Sequence, residues 1–510
     1  MRFSVIKLMS ALLSCAVLIT SCSQLADIEE IDDIELNAEY AIPLINSSAS
    51  LIELLDAQEV DLSDLQIKDN GNFVFSYEKE GPAKTTNDLF QDIPTFPFAL
   101  LDSFVTIPAN LFPNIAIDQL NIISGGIRFE VVSPYLEEID FTLSIPHLRK
   151  NGQVFQVSQT LPAATGPSNP VQISIPEVSL AGYEFQFPGN NLEMRYEAYN
   201  SNDERVLLAL VAGEGINWEY DYLEGFWANG AFELERDTLE IEVFETAFDG
   251  EFSIANPTLT IELENSFGFP VMAVVNSLKM INSEGQVLEL ESTLFDEGLH
   301  LNFPSLNEVN VSKTTTLTFN SDNSNITALL NSQPKEIIYD LGVVINPNDD
   351  IEMNGFITDQ GKIKARIKTE IPAQGSFRFS QEEIIDIDFN DVDEIVEGSF
   401  KLITDNGLPI SSDVQFYFID ADQNKMDSLF IDEIHVLEAA AVDGNGDIMN
   451  SSISQVDQII NAERMAKIKN AKQMIVKTSS ASSSDGTMPV KILSTQELNV
   501  KLGVTLKVQN

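Results

Sequence analysis

The stretch KIKARIKTEI, residues 362–371, decides the fold class. Ile363, Ala365, Ile367, Thr369 and Ile371 alternate with Lys362, Lys364, Arg366, Lys368 and Glu370. Successive side chains of a strand point to opposite faces, so this period of two predicts a strand with one apolar and one charged face. LNVKLGVTLKV, 498–508, repeats the pattern with Leu498, Val500, Leu502, Val504, Leu506 and Val508. Long helical periods are few, and the chain is expected to be mainly β.

Outward from these strands lie three similar stretches. They are GIRFEVVSPYLEEIDFTLSIPHLRKNGQVF (126–155), TLTIELENSFGFPVMAVVNSLKMINSEGQVL (258–288) and SFKLITDNGLPISSDVQFYFIDADQNKM (399–426). Each reads as a strand, a turn holding Pro134, Pro270 or Pro409, a second strand and a polar reversal. The reversals fall at Asn151-Gly152, Glu284-Gly285 and Asp422–Asn424. Gln153 and Gln286 stand 133 residues apart, and Gln286 and Gln423 stand 137 apart. A near-constant period argues for tandem units. The second and third units add a short helix and a strand, beginning at Ser324 and Ser454; Ser454 and Asp457 fit a capping box. The expected architecture is tandem immunoglobulin-like β-sandwich units with a few short helices. The boundaries place an N-terminal β-rich region at 39–120 and the units at 121–240, 241–388 and 389–510.

Asn256-Pro257 with NSFGFPVMAVVNSLKMINSEGQ resembles the water-stress (WHy) domain of the late-embryogenesis-abundant proteins. The resemblance covers roughly 40 residues and implies a sandwich; its residues are turn formers and imply no function.

The N-terminal region reads differently. AIPLINSSASLIELLD predicts a strand and a helix capped by Ser48, and GNFVFSYEKEG predicts a strand at 71–81. Then LFQDIPTFPFALLDSFVTIPANLFPNI, 89–115, carries four prolines and five phenylalanines. Proline excludes a central strand or helix, so an extended apolar ribbon is expected to cover the first sandwich or, as the alternative, to meet a partner or lipid surface.

The chain starts with Arg2 and Lys7, an apolar run from Leu8 to Ile19, and Ile19-Thr20-Ser21-Cys22. Twelve residues make roughly 18 Å of helix, too short to span a bilayer. The pattern is that of a secretory signal, 1–21. Its end resembles the lipobox of bacterial lipoproteins, which implies cleavage before Cys22, palmitate-type acylation of Cys22 and, with Ser23 following, an outer-membrane anchor. The acidic run ADIEEIDDIE lies in a tether, 22–38. It suits export to the cell surface or simple solvation, so the periplasmic and surface faces both stay open. The one other cysteine, Cys15, lies inside the signal, and no disulfide framework is expected.

Seventy-nine Asp and Glu against 29 Lys and Arg give a net charge of −50. Such a surface repels phosphate backbones, so no nucleic-acid partner is expected. Residues 461–510 differ, with eight Lys or Arg against Glu463, Asp485 and Glu497, a balance of +5.

No GxSxG, Walker A, GxGxxG or HExxH segment occurs, and His147, His300 and His435 share no spacing. No catalytic residue, resident metal or cofactor is predicted. DGNGD offers Asp443, Asn445 and Asp447 to calcium, but lacks the glutamate an EF-hand loop places twelfth; Asp420–Asn424 is a second weak candidate. WEYDYLEGFW, 218–227, holds both tryptophans. Trp218, Tyr220 and Tyr222 alternate, so on a strand all three are expected to share a face, with Trp227 near. Such rings stack on sugar faces, or else fill a core. The sequence thus supports a non-catalytic lipoprotein that binds a glycan or protein partner. A lipid carrier and, behind it, a hydrolase are the alternatives.

Overall fold

The computed structural model describes residues 38–508 apart from short breaks, the longest at 54–63, 242–249 and 388–394. Cys22 and most of the acidic tether lie outside the described residues. The chain is mainly β, in antiparallel sheets packed as sandwiches, with three short α-helices among the described residues. Lys362–Pro372 is a strand, and Ile363, Ala365, Ile367, Thr369 and Ile371 are its buried face.

In the second and third units the repeat has a clear structural meaning. Thr258–Asn265 lies in one sheet and Val271–Asn282 in the other. Ile395–Asn406 and Ile410–Ile419 divide in the same way. The proline turn is therefore a crossover between layers, not a hairpin. A buried residue staples each crossover. Asn265 accepts from Phe267 N–H at 2.9 Å and donates to the Asn302 carbonyl at 3.2 Å. Asn406 accepts from Leu408 N–H at 2.9 Å and donates to the carbonyls of Ile410 and Glu438 at 2.8 Å. Ser133 stands at the matching turn of the first unit, where Ile115–Ser133 and Ile139–Lys150 stay in one sheet, and its Oγ accepts from Tyr135 N–H at 3.4 Å. All three are 0% exposed. A side chain that satisfies backbone groups inside the fold lets the strand leave its sheet without leaving buried polar groups unpaired.

The polar reversals are hairpins. Asn151 and Gly152 both have positive φ, +52° and +79°, as a two-residue type I′ turn requires. The next two share one loop. Asn282 accepts from Glu284 and Gln286 N–H, and Asp420 accepts from Asp422 and Asn424 N–H, at 2.8–3.1 Å.

The first unit is built on one ten-stranded sheet. Its two long strands, Ile115–Ser133 and Leu210–Trp227, pair along their length with shifts of register between Ile216 and Tyr222 and again between Glu224 and Gly225. At Gly125 the first strand changes partners: residues 119–122 pair with Tyr183–Gln186, and 126–133 with Val171–Ser179. Gly125 has φ +97°, and a Cβ there would meet the Asn217 carbonyl at 2.4 Å. Only glycine allows the two long strands to bend together at this point.

The N-terminal region does not stand apart. Ala38–Ser50 pairs with Glu497–Val508 of the third unit. Phe73–Thr85 pairs with Lys362–Pro372 of the second. Phe96–Leu100 and Phe104–Pro108, the proline ribbon, pair with strands of the first. The boundary near 388 moves too, because Gln374–Asp386 pairs with Gln473–Ser482 of the third unit. Two caps differ from expectation. The first strand runs on to Ser50, which forms the reciprocal pair with Glu53 expected of Ser48. Ser454 and Asp457 lie in the Ser452–Ile460 strand, and Asn461 caps the Ala462–Ile468 helix. In both places the strand's long-range pairing outweighs the local signal.

Candidate functional site

The ring row is not a platform. Trp218 is 1% exposed, and Tyr220 and Trp227 are also buried. Trp218 donates Nε1–H to the Gly126 carbonyl at 2.8 Å and lies between Phe96 and Phe185, with ring centroids at 4.9 and 5.8 Å. The shared face expected for Trp218, Tyr220 and Tyr222 is broken by the irregularity between Tyr220 and Tyr222. Beyond it the buried set becomes Leu223, Gly225 and Trp227. One extra residue in a strand reverses every later side chain. Tyr222 is half-buried, stacks on Phe356 and donates to Glu224 at 2.6 Å. The proline ribbon and Trp218 together line an apolar cavity of about 190 Å³, below the ~300–1,000 Å³ of most small-molecule sites.

The DGNGD loop is the five-residue hairpin staple seen twice above. Asp443 Oδ1 accepts from Asn445 and Asp447 N–H at 2.8 and 3.0 Å, and Asp447 pairs with Lys491 at 2.6 Å. Those amides, Asp447's first, hold the Asp443 carboxyl below its usual range. Asp420 does the same service in its loop, held low by Asn424's amide first. Among the described residues no group of three His, Cys, Asp or Glu side chains is arranged to hold a metal ion. The basic charges of the last 50 residues are largely spent inside the third unit: Arg464 on Asp427, Lys477 on Glu433, Lys507 on Glu397.

A polar site lies on the outer face of the third sandwich. Register places Ser380, Ser479, Asp413 and His435 opposite one another on four neighbouring strands, Gln374–Asp386, Gln473–Ser482, Ile410–Ile419 and Ile434–Leu437. Around this row opens a groove of about 580 Å³, walled by Arg378, Glu438 and the Ser484-Asp485 turn. His435 Nδ1 stands 2.5 Å from Asp413 Oδ1, and Nε2 stands 2.9 Å from Glu438 Oε2. Ser380 and Ser479 hydroxyls meet at 3.3 Å, and Ser479 donates to Glu433 at 2.7 Å. Arg378 binds Asp485 through both its carbonyl and its carboxylate. Both ring nitrogens of His435 are taken by carboxylates, so the ring has none free to draw a proton from a serine.

Sequence reading passed over this groove. Its signal was KTSSASSSDG, 477–486, where small hydroxyls replace the apolar half of a strand's alternation. The inward Thr478, Ser480 and Ser482 are buried, and Ser480 meets Ser412 at 3.2 Å. That leaves the strand thin on both faces, with room for a groove on one.

No family model matches the chain, and no curated protein matches it. Among solved structures it is similar to a Parabacteroides distasonis protein described as secreted, with 15% identity over 56% of this chain and 89% of that one, at a TM-score of 0.30. The infectious bursal disease virus VP2 subviral particle matches at 9% identity over 79% of this chain and 75% of that one, TM-score 0.15. PBSX exported protein XepA matches at 11% over 57% and 86%, TM-score 0.13.

Proposed function

We propose that this chain is a non-catalytic lipoprotein of the outer membrane, anchored through Cys22, whose third sandwich binds a neutral, hydroxyl-rich ligand, a glycan segment, in the groove around Asp413 and Ser479. The acceptor-rich lining of the groove carries the reading. Three carboxylates, Asp413, Glu438 and Asp485, line it against one arginine, Arg378, which is already bound to Asp485. An anionic ligand meets that surplus of negative charge. A polyol instead donates to spare carboxylate lone pairs and exchanges hydrogen bonds with Ser380 and Ser479. The absence of a free base beside a serine supports binding over hydrolysis.

The anchor rests on the leader and the lipobox-like Ile19–Cys22. It places the body outside the cytoplasm. Fifteen residues separate Cys22 from Ala38 and reach about 50 Å at most. Because Ala38–Ser50 edges the third sandwich, that sandwich is the one to which the tether joins.

Affinity electrophoresis through gels of xylan, mixed-linkage glucan, mannan and starch tests the ligand. Retardation in at least one gel is expected, and its loss in Asp413→Ala and Ser479→Ala with unchanged thermal melting. Equal mobility in every gel, or retardation that survives both substitutions, overturns the glycan reading and leaves a protein partner as the candidate. Palmitate labelling that persists in Cys22→Ser overturns the anchor.

A further inference from the structure

The four-stranded sheet of the third unit has two edges of opposite character. One is Ala38–Ser50, which carries Pro43 and a register shift between Pro43 and Ile45. Proline and bulges are the usual guards against edge-to-edge association. The other is Ser452–Ile460, whose strand partner among the described residues is Ile395–Asn406 alone. Its register runs from Ile460 to Ser452 without a shift. Its sequence, SISQVDQII, has no Lys, Arg or Pro. Ile453 and Ile459 on its outer face are 73% and 71% exposed, among the most exposed large apolar side chains in the protein.

The strand is also close to a palindrome about Val456. Two antiparallel copies centred there set Ile453 opposite Ile459 twice, Ser454 opposite Gln458 and Gln455 opposite Asp457. Shifting the register by two residues either way loses both isoleucine pairs, so the side chains select one register. The charges permit it. The single ionised group, Asp457, accepts from Gln455 Nε2 at 2.5 Å and has Lys401 Nζ at 3.9 Å. In the pair each Asp457 faces the partner's Gln455 amide, not a bare carboxylate. The chain's net charge opposes association at long range, but salt at physiological strength screens beyond about 8 Å. The neighbouring turn approaches from beneath, binding the inward side chains of Ser452 and Ser454 through Ala439 and Glu438.

We infer that a second copy of this chain pairs across Ser452–Ile460, joining two four-stranded sheets into one of eight through an isologous two-fold contact. The inference does not depend on the groove or on its ligand. One strand edge buries little area, which puts the pair in the weak, transient class; tethering both copies to one membrane raises their effective concentration.

Sedimentation of the purified full chain, with Cys15→Ser and Cys22→Ser to remove thiols and lipid, tests it at up to about 0.1 mM, where a weak interface is populated. A concentration-dependent species of twice the chain mass is expected. Ile453→Lys with Ile459→Lys should abolish it with an unchanged melting curve, since both positions are exposed. Ile453→Cys with Ile459→Cys should give an interchain disulfide under mild oxidation, because opposed Cα atoms in an antiparallel pair lie about 4.5–5.5 Å apart. A chain monomeric at every concentration, a dimer that survives the two lysines, or a dimer whose cysteines do not join overturns it.

Discussion

Replacing Trp218 by alanine separates a core ring from a surface ring. The indole is 1% exposed and wedged between Phe96 and Phe185, and its Nε1–H serves the Gly126 carbonyl. Truncating a large buried aromatic to alanine costs about 3–5 kcal/mol. Leaving the Gly126 carbonyl without its donor adds about 1 kcal/mol. The first unit should therefore lose about 4–6 kcal/mol, a large share of the ~5–15 kcal/mol that holds a domain. Trp218→Phe keeps the ring contact and loses the hydrogen bond with part of the volume, for about 1–3 kcal/mol. Urea unfolding followed by fluorescence is suited to this, because Trp227, the one other tryptophan, reports on the same unit. The midpoint should fall in the order wild type, Phe, Ala. A Trp218→Ala midpoint within about 0.5 kcal/mol of wild type is the behaviour of a surface residue and refutes the burial argument. So does loss of glycan retardation in a Trp218→Phe protein that remains folded.

The crossover staples make a second test. Asn265→Ala strands the Phe267 N–H and the Asn302 carbonyl and should cost about 2–4 kcal/mol. Asn406→Ala should cost more, since three groups depend on it; chemical denaturation measures both. Gly125→Ala puts a methyl on the Asn217 carbonyl at φ +97° and should destabilise by about 2–4 kcal/mol. Gly152→Ala, in open space, should cost only about 1–2 kcal/mol for its left-handed backbone. The DGNGD loop should respond to acid. Its carboxyl is held below the usual range by the amides of Asp447 and Asn445, so its contribution is whole above the unfolded value near 4 and disappears as pH falls through the lower folded value. The protection of the Asp447 amide against exchange, relative to an unstructured amide at the same pH, should fall over that window. Asp443→Asn should remove the pH dependence and keep the loop, because Asn282 closes the same turn without a charge.

The parts of this fold that were legible in sequence are those fixed by neighbours a few residues away. Alternation at 362–371 and 498–508 located strands, and positive-φ residues located reversals such as Asn151-Gly152. What was not legible depends on distant partners. The Pro270 and Pro409 turns read as ordinary reversals, and only the buried asparagines beneath them show that the chain changes sheets. The shared face of Trp218, Tyr220 and Tyr222 failed at an irregularity set by the opposing Ile115–Ser133 strand, which no local pattern reports. The groove was missed because it is assembled from four strands spread over residues 374–482. Ser479 and His435 have nothing in common in sequence except the Asp413 between them in the sheet.

The course of the N-terminal region ties these observations together. Its strands are shared out in reverse order, the first to the third sandwich, the next to the second and the last to the first. The first described strand and the last are partners, so a chain emerging from its N-terminus cannot complete the third sandwich until its final residues are available. Non-local pairing of this kind slows folding, and the exposed strand edges of the waiting chain are open to misassembly. The entropy of closing so long a loop is modest, because it grows only with the logarithm of length. The finished arrangement gives each sandwich a strand from one continuous segment, and one connected cluster of buried apolar residues runs through all three, beside a small second cluster of Phe418, Ile468 and Ala471 in the third. A lipid on Cys22 would pull on the same segment. Load on the anchor would then reach the body through the twelve-pair ladder from Ala38–Val508 to Ser50–Glu497, and the third sandwich would bear it before the other two.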